Sequence, residues 1–179
     1  MVAASTNLAE RIIRAPLTTA VASVMVHVDF DDHSDHRIRI GAELASRFGA
    51  VLIGVAGWVP GQESGGWFAD ELAPDEARLD RILVELDRLA ERFRAVAHRT
   101  ARNTEWRGSF HFPREVIAAE ARAADLVVIG SHPTTEDAYH AFDPGMVLLS
   151  AGRPVLVIPD GLADGNPGER VLIAWKDTR

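Results

Sequence analysis

Histidines and carboxylates crowd two short stretches of this chain. Asp29, Asp31, Asp32, His33 and His36 lie in the first, and His132, Glu136, Asp137 and His140 in the second. Neutral imidazole combined with carboxylate suits a first-row divalent metal, and His33 and His36, at i and i+3, share one side of a helix start. His33, His36, His132 and His140 are therefore the candidate metal ligands. Against that reading, no strict ligand motif such as H-E-x-x-H occurs, and a solvated acidic rim has the same composition. Ser131 and His132 with Asp143 carry the residue types of a hydrolytic triad. Adjacent side chains of an extended chain point to opposite sides, however, and no G-x-S-x-G elbow is present, so no catalytic residue is assigned. Trp58, Trp67 and Phe68 offer aromatic faces that stack on a base or line an apolar pocket, although such residues more often close a core beneath a loop. The chain has no cysteine, which removes thiol catalysis, thiolate zinc sites and disulfides.

These side chains need a frame, and hydrophobic periodicity supplies one. Residues 24–29 (VMVHVD), 51–56 (VLIGVA), 125–130 (DLVVIG) and 154–159 (PVLVIP) are short apolar runs of strand length, the pattern of strands buried on both faces. Residues 104–110 are more polar and alternate, which predicts an edge strand. His27, inside the first run, reads as a packed core residue. Between the strands, Ile38, Ala42, Ala45 and Phe48 recur at helical spacing, with Asp35 near the start and Gly49 as a left-handed stop. Leu79, Ile82, Leu83, Leu86, Leu89, Phe93 and Val96 mark one face of a long helix after Pro74. Its Arg-rich end (Arg92, Arg94, Arg99, Arg102, with His98) complements the helix dipole. Pro113 opens a further helix through Ala123, and Asp143-Pro144-Gly145 opens a short last one. Strands alternating with helices imply parallel pairing through right-handed crossovers, hence a three-layer α/β sheet. Ligands of such sheets bind outside the carboxyl ends of the strands. That places residues 29–36, 57–73 and 130–143 around any site.

The 179 residues fit one ordinary domain, and 47% apolar with 25% charged residues is the balance of a globular chain. Nineteen basic against 26 acidic residues give a net charge of −7. Without a local basic patch this excludes a nucleic-acid partner. No apolar run approaches the roughly 20 residues of a membrane helix, and Glu10, Arg11 and Arg14 interrupt the stretch where a secretory leader would be apolar. A cytoplasmic protein without a membrane partner is expected. Residues 1–20 read as an N-terminal extension, 21–160 as the domain and 161–169 as a linker. Residues 172–177 (LIAWKD) repeat the pattern of residues 24–29, as though 170–179 were the first strand of a truncated second copy.

Taken in order, strand one ending in Val28-Asp29, the phrase ADLVVIGSH at 124–132 and RPVLVIP at 153–159 resemble the universal stress protein family over roughly residues 22–160. The short repeat at the end resembles the opening of a second family domain in tandem members. The resemblance implies an adenine-nucleotide alpha-hydrolase-like sheet in the order 3-2-1-4-5, a stress-response role and dimerisation through the fifth strand, with the segment 171–176 adding to a sheet or crossing to the partner. It also implies a test for ATP or AMP. Many family members carry G-x2-G-x9-G-[S/T] after strand four, where glycines admit phosphates to backbone amides. Here Gly130 matches the first glycine, followed by Ser131 and His132, but Pro133 stands at the second, Asp143 at the third and Pro144 at the hydroxyl position. Proline donates no N–H and aspartate repels phosphate. In the adenosine half, Asp29 matches the acidic residue ending strand one and Val51 an apolar residue under the base. The expectation is a non-enzymatic binding domain with a degenerate nucleotide site, of the branch that does not bind ATP. The alternatives are a nucleotide-binding member with slow ATP hydrolysis and a metal-binding module.

Overall fold

The computed structural model describes residues 21–31, 33–58, 76–131 and 143–159, with side chains of the third stretch from residue 79 onward. The expected extension 1–20, most of the 57–73 connection, the loop 132–142, the linker and the segment 170–179 lie outside these residues.

Three of the four continuous apolar runs become central strands because both of their faces are covered, and the fourth forms an edge. The elements are β1 (Ser23–His27), α1 (Ser34–Phe48), β2 (Val51–Gly57), α2 (Glu76–Ala97), β3 (Thr104–Ser109), α3 (Pro113–Glu120), β4 (Leu126–Gly130), α4 (Pro144–Ala151) and β5 (Val155–Ile158). A single 3-10 turn, Ala121–Ala123, follows α3 where the sequence predicts one continuous helix. All pairings are parallel, and the sheet order is β3-β2-β1-β4-β5. This is the expected doubly wound α/β fold.

Side chains alternate across the sheet with period two. Val24 and Val26 point to one face, where Ile38 of α1 and Leu86, Leu89 and Phe93 of α2 meet Leu52. Met25 points to the other, joining Ile53, Val55, Val127 and Ile129 against Ile117 of α3 and Val147 of α4. Gly54 lets α2 approach closely, since an added Cβ would stand 2.7 Å from the Phe93 ring. Gly49 ends α1 at φ 65°, as its position predicts. The α2 stripe is narrower than expected: Leu79 and Leu83 are 38% and 58% exposed. The buried stripe runs through Ile82, Leu86, Leu89 and Phe93, and residue 83 falls about 100° round the helix from residue 82.

The first connection carries the chain from β1 to β2 on one side, whereas β4 returns to pair with β1 on the other. The crossovers therefore diverge between the carboxyl ends of β1 and β4, the place where such sheets hold ligands.

Candidate functional site

Beyond β1 the chain continues as Val28 and Asp29, then turns into α1. The turn is built from its own short polar residues: Asp29 N–H donates to Ser34 Oγ at 3.1 Å, and Asp31 N–H donates to Asp29 Oδ1 at 3.2 Å. The first contact fixes the backbone of the turn, and the second anchors the Asp29 carboxylate. The cation between Asp29 and Asp31 comes from the first turns of α1. Arg37 Nη2 donates to Asp29 Oδ1 at 2.6 Å and to Asp31 Oδ1 at 3.2 Å, while Nη1 donates to Asp31 Oδ2 at 2.8 Å. The side chain is 1% exposed. Across the switch point, Gly130 at the end of β4 receives it, since a Cβ there would lie 2.8 Å from Nη1.

A second cation braces the same turn from α2. Arg92 Nε donates to Asp35 Oδ1 at 2.5 Å, and its Nη1 donates to the Asp29 carbonyl at 3.1 Å. Arg92 therefore ties two helices and the β1 loop together, rather than complementing the α2 dipole as its place in the sequence suggests. His27 lies buried beneath, its Nδ1 3.4 Å from Asp29 Oδ2. Burial first, then the Arg37 charge, lowers its pKa to about 3, so the imidazole is neutral and this contact is not an ion pair. Burial raises the Asp31 carboxyl above its ordinary range, opposed mainly by the Arg37 hydrogen bond.

On the β4 side, Asp143 sits at the start of α4 in extended conformation, and its Oδ1 accepts from Gly145 N–H at 2.8 Å. Pro144 occupies the first helical turn and has no N–H to offer. The Gly145 amide at this helix end is thus bonded to a carboxylate of the chain itself.

Of the residues named from the sequence, Asp29 and Gly130 both adjoin Arg37, Ser131 follows β4 and Asp143 caps α4. Val51 is corrected: it opens β2, paired in register with Ser23, and packs beside the α3 and α4 core. It stands four residues, or about 13 Å, from Val55, which lies opposite His27 at the site end. Trp58 packs against the core and meets Phe30 edge-on at 5.2 Å, so it closes the core. His132, His140, Glu136, Asp137, Trp67 and Phe68 lie outside the described residues, and among those described no three histidine or carboxylate groups converge to hold a metal. His33 is exposed and His36 half-buried.

Sequence reasoning missed Arg37. The clue is available in retrospect: Arg37 interrupts the buried α1 stripe of Ser34, Ile38, Gly41, Ala42 and Ala45, and a guanidinium on such a stripe requires carboxylates nearby.

Comparison with known proteins gives one consistent result. The model of the Universal stress protein family matches residues 21–141. Universal stress protein UspA from Lactobacillus plantarum is 21% identical, with a TM-score of 0.60 over 77% of this chain and 97% of that one. A universal stress protein in complex with cAMP is 22% identical (TM-score 0.54; 78% and 97% covered). The universal stress protein from Archaeoglobus fulgidus in complex with dAMP is 21% identical (TM-score 0.51; 75% and 95% covered). No curated protein matches the chain. Among the described residues, no helix is long and apolar enough to cross a membrane.

Proposed function

The chain belongs to the universal stress protein family, and on that premise we propose that it is a non-enzymatic, cytoplasmic regulatory domain whose nucleotide site is degenerate and which dimerises through β5. The observation that carries the first half is the Asp143 carboxylate on Gly145 N–H at the start of α4. A phosphate placed there would have to displace that carboxylate and then face its charge. Pro133 and Pro144 add two positions without a donor. Dimerisation is supported by β5 standing at the sheet edge with Val155, Leu156 and Val157 only half-buried. On the adjacent α4, Met146 is 60% and Leu149 84% exposed. An apolar edge of this kind is a template for pairing.

A second reading keeps a smaller adenine nucleotide. It is favoured by the relatives described in complex with cAMP and dAMP, ligands with one phosphate that make less demand on the α4 end. Native mass spectrometry of the purified protein separates the readings in one experiment. The proposed function gives a dimer mass with no retained nucleotide; a nucleotide carried through purification supports the second reading, and a monomer contradicts the assembly.

A further inference from the structure

The crevice between β1 and β4 already contains a cation. Two carboxylates, Asp29 and Asp31, stand together on the turn after β1, and the Arg37 fork satisfies both through three hydrogen bonds of 2.6 to 3.2 Å. The bidentate match between a planar guanidinium and paired carboxylates is specific in geometry as well as charge. The far wall is Gly130, and its lack of a side chain is what leaves room for Nη1. Arg37 Nε is buried without a hydrogen-bond partner, so the side chain is held for its fork and in spite of an unsatisfied donor.

We propose that Arg37 is a built-in ligand: Asp29, Asp31 and Gly130 form a guanidinium-selective cradle at the switch point, and the chain fills it with its own side chain. The turn after β1 is then ordered by an intramolecular cation, and the surface around the strand ends does not depend on a bound small molecule. The residue acts as a determinant of specificity, because no ligand enters the crevice while the guanidinium lies in it. This inference rests on the reading that the site holds no nucleotide. ATP uptake by the unaltered protein would defeat that reading, whereas the experiment below can fail on its own.

Arg37→Ala empties the cradle and leaves the two carboxylates without their cation. Guanidinium chloride added at on the order of 10 mM, far below denaturing concentration, should enter and raise the melting temperature of this variant by about 4 °C at ten times its dissociation constant. Tetramethylammonium chloride at equal ionic strength should not, and the unaltered protein should respond to neither. If the variant fails to fold in buffer, the same titration is made on Arg37→Ala combined with Asp31→Asn, which neutralises one stranded carboxylate; guanidinium should still stabilise it through Asp29. Absence of a guanidinium-specific shift in the folded variant, or an equal shift in the unaltered protein, overturns the proposal.

Discussion

Acid should weaken this domain through His27. The imidazole titrates near 6.5 when exposed but is lowered to about 3 in the fold by burial and by Arg37. A base whose folded pKa lies below its unfolded one costs stability on protonation. The contribution of His27 is therefore complete above about pH 6.5 and is lost progressively from there toward 3, by ~1.4 kcal/mol for each pH unit. Between pH 7 and 5 the loss from this single group comes to about 2 kcal/mol. Asp31 acts in the opposite sense, since a raised carboxyl favours the fold at low pH and that benefit fades as pH rises. It is present in both proteins under comparison, so the difference between them reports chiefly on His27. The assay is urea unfolding at pH 7 and pH 5 of the unaltered protein and of His27→Gln, which cannot titrate. The variant starts less stable, but its stability should fall between the two pH values by about 2 kcal/mol less. Parallel losses in the two proteins would refute the buried, neutral histidine.

Two further perturbations test the frame around the site. Gly54→Ala drives a methyl into the Phe93 ring, 2.7 Å from the added carbon, and should cost roughly 1 to 3 kcal/mol in urea unfolding; a neutral result would mean that α2 does not press on the sheet at this point. Asp125 accepts from the Ala22 and Ser23 amides and the Ser23 hydroxyl at 2.9 to 3.1 Å, and these bonds hold its carboxyl below the usual range. Its contribution is thus present above the ordinary carboxylate pKa and lost as pH falls through the lowered one. Asp125→Ala should lower the melting temperature at pH 7, with the gap from the unaltered protein closing toward pH 3; a constant gap would show that the charge is not what joins β1 to β4.

Much of the frame was legible in the chain because local chemistry and tertiary role agree. The runs at 24–29, 51–56 and 125–130 are apolar without alternation because both faces of the central strands are covered, whereas the equally apolar run at 154–159 forms the half-buried edge strand β5. Gly49 and Asp143 announce a helix end and a helix start through backbone needs that few other residues meet. The site was less legible, since its contacts join segments far apart in sequence. Arg37 becomes intelligible only when Asp29, Asp31 and Gly130 surround it. Arg92 reads as a dipole partner until α2 is laid beside the β1 turn, where Asp35 and the Asp29 carbonyl take it. Val51 was misplaced because a motif gives a residue's strand without giving its height along that strand, and the register puts Val55 at the site end.

Calorimetric titration of the full chain with ATP and magnesium tests the central claim most directly. With Asp143 on the Gly145 amide and Arg37 lying in the crevice beside Gly130, the account predicts no binding in the micromolar range. A dissociation constant of a few micromolar, equivalent to about −8 kcal/mol of binding free energy, would contradict it and establish the domain as a nucleotide-binding member of its family.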